Sequence, residues 1–138
     1  MDNNQNQYVK PALFSYRGRR NRASFILVNL VIYILGALLS YAALYVSGLG
    51  MSDSMNPETT TALMGASLFF EVFFIVVLWL VGLLTWIQRL HDTGNSGLWV
   101  IAKAIPLANI VLLLYLVFCP GTPGRNIYGP NPLGVEEE

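Results

Sequence analysis

Arg89-Leu90-His91-Asp92-Thr93-Gly94-Asn95-Ser96-Gly97-Leu98-Trp99 is the stretch on which the reading of this chain turns. It holds the only histidine and the densest cluster of polar side chains, yet long apolar runs flank it on both sides. A short charged turn clamped between segments of membrane length is the cytoplasmic loop of a small helical membrane protein, and that placement outweighs any catalytic pattern inside it.

Toward the N-terminus, Thr61 to Gln88 reads as a span longer than the roughly 20 helical residues a hydrocarbon core requires, so it must tilt or project into the interface. Trp86 and Trp99 suit the aromatic belt at the boundary, and Arg89 marks the cytoplasmic side. The linker Ser47 to Thr60 carries Gly48, Gly50, Asp53, Asn56, Pro57 and Glu58 but no Lys or Arg, which suits a short non-cytoplasmic loop. Ala23 to Val46 is uncharged and reads as a further span, with Asn21 as its N-cap. Arg17, Arg19, Arg20 and Arg22 in front of it hold the N-terminus in the cytoplasm by the positive-inside rule. Ser40-Tyr41-Ala42 resembles a small-x-small cleavage site, but the apolar stretch is too long and its leader too extended for a signal peptide.

Toward the C-terminus, the apolar run Leu98 to Cys119 is interrupted by Lys103, Pro106 and Asn109. Proline lacks a backbone donor and clashes with the preceding turn, so a kink or break is expected near Ile105. A single kinked span, preferred on length, would carry the C-terminus outside; two short helices in a re-entrant hairpin would return it to the cytoplasm. Pro120 to Pro132 is a string of turn formers. The expected fold class is thus an all-α membrane protein, a small bundle of three transmembrane segments with the third kinked or broken at Pro106. Residues 1–22 form a basic cytoplasmic segment, 23–119 the transmembrane domain and 120–138 a Pro/Gly-rich tail.

Composition agrees: of 138 residues, 54% are hydrophobic and 12% charged, about half the charged share of soluble proteins. The mean hydropathy is +0.52. A net charge of zero hides an asymmetry. Five of the eight basic residues (Lys10, Arg17, Arg19, Arg20, Arg22) precede the first apolar run, while Glu136, Glu137 and Glu138 end the chain. That pattern argues against nucleic acid and for a basic patch at one membrane face. Cys119 is the only cysteine, so no intrachain disulfide can form and a Cys-rich metal site is excluded.

Three segments, Gly18-Arg19-Arg20-Asn21-Arg22-Ala23-Ser24-Phe25, Arg89 to Gly97, and Gly121-Thr122-Pro123-Gly124-Arg125-Asn126-Ile127-Tyr128-Gly129-Pro130-Asn131-Pro132, occur in this order between apolar helices. In that arrangement the chain resembles the DUF805 family of small bacterial inner-membrane proteins, from about Phe14 to Pro132. It departs from the pattern at Gln88, where a second arginine is frequent, at Leu98, where tryptophan is common, and at Ile127, which replaces a frequent arginine. The resemblance implies a multi-pass inner-membrane protein and a family without an assigned biochemical activity. The candidate interaction residues are Gly18, Arg19, Arg22, Arg89, His91, Asp92, Ser96, Gly97, Gly121, Asn126, Gly129 and Pro130.

His91 beside Asp92 offers an imidazole that titrates near neutral pH and a carboxylate to orient it. Adjacent residues on a helix do not face each other, however, so a dyad needs a turn here. The structural reading is the stronger one: Arg89 and His91 favourably placed at a helix C-terminus, with Asp92, Thr93, Asn95 or Ser96 capping the junction. No serine or cysteine is an evident nucleophile, and a metal would need more ligands than these two. Neither a cofactor nor a catalytic residue is expected. Within the apolar runs, Glu71 is a candidate transport residue with Lys103 as its natural partner, although depth counted along the helices separates them. Asn29 is the better-placed polar neighbour for Lys103. Gly36 and Ser40, four apart, permit close helix contact within the chain or in a homo-oligomer. The leading function is a non-enzymatic module contacting anionic lipid headgroups or a membrane-protein partner. Small-solute or ion transport through Glu71, Lys103 and the break at Pro106 is the alternative, and an enzyme built on His91 and Asp92 the least favoured.

Overall fold

A computed structural model describes residues 12–50 and 56–134. Lys10, the centre of the 47–60 linker and the three terminal glutamates lie outside them. The fold class is all-helical, as expected: α1 (Arg22–Gly50), α2 (Pro57–Asp92), a 3-10 helix (Gly97–Ala104) and α3 (Pro106–Phe118). Among the described residues the only strand-like feature is an isolated bridge between Asn126 and Gly129.

Local sequence sets each helix end. The Asn21 side chain accepts the Ser24 N–H at 2.8 Å, so it caps α1, and Asn56 accepts the Thr59 N–H at 2.8 Å just ahead of Pro57. At the far end of α2 the Asn95 N–H reaches the Leu90 carbonyl at 2.9 Å and the Gly94 N–H reaches His91 at 3.1 Å. That is a Schellman closure, and its left-handed residue, Gly94 at φ 78°, needs glycine. α2 therefore runs through His91 and Asp92. The stretch read as a polar loop from Arg89 is a helix end as far as Asp92 and a turn only from Thr93 to Ser96.

The third apolar run is broken at Pro106, one of the two forms expected for it. Ser96 caps the 3-10 helix, accepting the Leu98 N–H at 3.3 Å, and Ile105 (φ −103°, ψ 118°) is extended between the 3-10 helix and α3. Pro106 then opens α3 at the position where its missing N–H costs nothing. At about 2 Å and about 1.5 Å of rise per residue, the two pieces reach roughly 16 Å and 20 Å, each short of the ~30 Å core. They are in contact across the break at Ile105.

The chain forms two compact units. One comprises the described residues up to Asn29 together with those from Val81 onward; the other is Leu30–Leu80. In the first, Phe25, Trp86, Leu90 and Leu116 are fully buried, with Val100, Leu112, Leu113 and Val117 packed against them. Phe25 and Trp86 meet edge to face with centroids 5.8 Å apart. The second unit is made of stretches of α1 and α2 whose large side chains, among them Leu38, Leu44, Phe69 and Phe73, point outward. Only 11% of the most apolar window of α1 and 17% of that of α2 is buried, whereas the core helix of a soluble protein would be mostly covered. Both have the length, composition and exposed apolar surface of membrane helices. Within this unit Gly36 faces Leu78, and the Ser47 and Ser67 hydroxyls lie 3.4 Å apart.

Candidate functional site

Asp92 is the centre of the first unit's polar end. Its Oδ1 accepts from Arg19 Nε at 3.1 Å, and its Oδ2 is paired with Arg89 Nη1 one helical turn earlier. All three residues are at most 3% exposed. Ionised groups taken this far from water survive only when paired and hydrogen-bonded, and these are both. The remaining Arg19 donors go to the tail: Nη2 to the Thr122 carbonyl at 2.5 Å, Nη1 to Gly124 at 2.7 Å and Gly129 at 3.4 Å. Asp92 also holds the tail through its own backbone, its carbonyl accepting from Thr122 N at 2.7 Å and Thr122 Oγ1 at 3.1 Å. Gly121 passes so close that a Cβ there would run into the Asp92 carboxylate.

Arg89 does something its position on α2 does not suggest. Nε donates to Leu116 O at 2.9 Å and Nη2 to Cys119 O at 2.5 Å, so its guanidinium caps the C-terminus of α3 rather than its own helix. Those carbonyls have no partner inside α3, and the negative end of the helix dipole adds attraction. Arg22, exposed at the start of α1, reaches Phe118 O there at 3.4 Å.

His91 and Asp92 form no dyad, since consecutive helical residues diverge. The His91 ring stacks on Tyr128 with centroids 3.9 Å apart and 4° between the planes. Nδ1 lies 3.3 Å from the Gly18 carbonyl, which can only accept, so Nδ1 carries the proton. A Cβ on Gly97 would meet His91 Nε2 and the Ile87 side chain, which closes the other side of the ring. Asn126 ties the tail down from the middle of its motif, donating to the His91 carbonyl at 2.9 Å and accepting the Tyr128 N–H at 2.9 Å. Pro130 follows the Asn126–Gly129 bridge and is half-buried, whereas Ser96 serves only as the cap of the 3-10 helix.

The sequence reading passed over Gln88 as a site residue, noting it only as a departure from the family pattern. Its Nε2 donates to Ala12 O at 2.8 Å and Ser15 O at 2.5 Å, and its Oε1 accepts from Arg20 Nε at 2.9 Å, so it organises the segment before α1. Arg20, Thr122 and Tyr128 were likewise missed as individual contributors. Deeper in the unit, Asn29 donates to Phe25 O at 2.8 Å and Thr85 Oγ1 at 3.2 Å and accepts from Trp86 Nε1 at 3.1 Å. Lys103 Nζ stands 4.7 Å over the Trp86 ring, a cation–π contact in place of an anion. Glu71 belongs to the other unit, where it lines an otherwise largely apolar cavity of about 180 Å³.

Chemically this is a clasp. Its titratable groups are spent on one another and on backbone carbonyls, and no group of three or more metal-ligating side chains occurs among the described residues.

The sequence profile described as "Protein of unknown function (DUF805)" matches residues 13–130. Inner membrane protein YhaH of Escherichia coli (strain K12) is 30% identical over 121 residues, covering 85% of this chain and 86% of that one. Inner membrane protein YhaI of the same strain is 26% identical over 117 residues, 85% of each. No solved structure matches the chain.

Proposed function

The chain belongs to the DUF805 family, whose relatives YhaH and YhaI are inner membrane proteins, and we propose that it is a non-enzymatic module whose clasped polar end presents cations and apolar side chains to anionic lipid headgroups. It is an integral protein of the inner membrane. The supporting observation is a division of labour at that end. Arg19, Arg89 and Asp92, which could do chemistry, are buried and mutually bound and His91 is buried against Tyr128, whereas Arg17, Arg22 and Arg125 are exposed. Beside these lie Phe14 at 79% exposure, Ile127 at 88%, Tyr16 and Leu133, and Arg17 stands 5.6 Å over the Tyr16 ring. Exposed cations interleaved with aromatic and aliphatic side chains suit the headgroup layer of an anionic leaflet, where each arginine contributes roughly 1 kcal/mol. In this reading the N-terminus, the turn after α2 and the tail all face the cytoplasm.

The test is native mass spectrometry of the protein extracted from bilayers containing equal phosphatidylglycerol and phosphatidylcholine. Retained lipid should be mainly phosphatidylglycerol, and Arg17→Gln, Arg22→Gln and Arg125→Gln together should abolish that preference. Equal retention of both lipids by the native protein would reject the reading.

A further inference from the structure

Beside the clasp is a cavity of about 300 Å³ lined by Asn21, Arg22, Arg89, Asp92, the Pro120–Pro123 turn and the Asn131–Leu133 turn. Arg19, fixed on the other oxygen of Asp92, stands immediately behind it. Around the cavity the charges of Arg22, Arg89 and Arg19 thus stand against the single carboxylate of Asp92, which pairs with the latter two. Carbonyls satisfy the N–H groups of Arg19 and Arg89 but carry no full charge, so a formal excess of positive charge remains at a concave, partly covered site. Arg22 is exposed at the rim, and its one hydrogen bond, to Phe118 O, is long at 3.4 Å. Its guanidinium fork is therefore available to an oxyanion, and such forks match phosphate oxygens two at a time.

We propose that this cavity binds a phosphate group of net negative charge, with Arg22 as its direct ligand and the buried Arg89 and Arg19 charges behind it. The proposal rests on the headgroup reading above but is narrower: one seat rather than an attractive surface. A lipid phosphate and free inorganic phosphate share the chemistry that would be recognised. The volume suffices for a phosphate with a small polar substituent, and the exposed Leu133 at the rim gives a glyceride backbone an apolar surface to lie on.

The full chain in neutral maltoside micelles is titrated with dihexanoyl phosphatidylglycerol, dihexanoyl phosphatidylcholine and inorganic phosphate, with affinity read from the rise in unfolding midpoint. Phosphatidylglycerol should bind at least ~10-fold more tightly than phosphatidylcholine, whose ammonium is repelled by the same arginines. Arg22→Gln should lose that binding by at least ~10-fold and Arg22→Lys by less, while Arg17→Gln, which removes an equal charge outside the cavity, loses only a few-fold. Leu133→Asp, an exposed substitution that brings a carboxylate to the rim, should match Arg22→Gln and carries the test if Arg22→Gln does not fold. Binding of phosphate alone with the same Arg22 dependence assigns the seat to the free ion; binding only of phosphatidylglycerol assigns it to a lipid. Equal losses for Arg17→Gln and Arg22→Gln would overturn the cavity and leave the surface attraction standing. Absence of any Arg22-dependent binding overturns the cavity, and absence of any lipid preference as well overturns both.

Discussion

Asp92 is a single carboxylate answering two buried guanidinium groups, and the balance at that residue governs the polar end. Asp92→Asn keeps the volume but leaves Arg19 and Arg89 facing each other without an anion. Breaking one partner out of a buried ionic group costs about 3–5 kcal/mol, so the unfolding midpoint of Asp92→Asn in detergent should fall steeply. An unchanged midpoint would mean the ion pairs contribute nothing. At Gly121 the constraint is space: any Cβ meets the Asp92 carboxylate, so Gly121→Ala must push the tail or the side chain aside, at about 1–3 kcal/mol by the same measurement. Much of the cluster's membership was legible in the sequence, because arginines, His91, Asp92, Gly121 and Asn126 stand out from an apolar background. Their pairings were not. Arg19 and Asp92 are 73 positions apart, and nothing in composition or periodicity says which of several arginines a lone aspartate will take. Gln88 shows the limit from the other side: a neutral amide where the family pattern often has an arginine reads as a lapse, yet it holds Ala12, Ser15 and Arg20.

Among the elements, α1 and α2 follow directly from apolar length and their Asn21 and Asn56 caps. The hairpin of the 3-10 helix and α3 does not. Pro106 announces a break, but whether a broken run continues across the membrane or turns back is decided by what holds its far end. Here Arg89, reaching from α2 to the Leu116 and Cys119 carbonyls, anchors the end of α3 beside the end of α2. A length rule sees one segment at a time and cannot register that tie. Removing it has a local signature. Arg89→Met takes away the cap from the last α3 carbonyls, so amide exchange should quicken over Tyr115 to Cys119 and at Thr122, whose N–H is bonded to Asp92. The amides of Leu30 to Ile34, in the other unit, should keep their native protection. Uniform acceleration through both would show that Arg89 supports the whole fold rather than the end of α3.

For the molecule as a whole the consequence is topological. Two helices are long and apolar enough to span, whereas the 3-10 helix and α3 are each too short to cross a hydrocarbon core alone. The segment before α1, the turn after α2 and the tail are hydrogen-bonded to one another, so a common side of the membrane is expected for them. That side collects Arg17, Arg19, Arg20, Arg22, Arg89 and Arg125, whereas the described part of the 47–60 linker has no Lys or Arg. By the positive-inside rule that side is expected to be the cytoplasm. The single-span reading and the hairpin differ here in sign, which allows a decisive measurement. A green fluorescent protein fused after Glu138 should fluoresce, and alkaline phosphatase fused at the same point should be inactive, because each folds on only one side of the inner membrane. Phosphatase inserted within residues 51–55 of the linker should give the opposite result. An active C-terminal phosphatase would put the tail outside, and Arg19 could not then hold Thr122 and Gly124 while remaining with the N-terminal arginines in the cytoplasm.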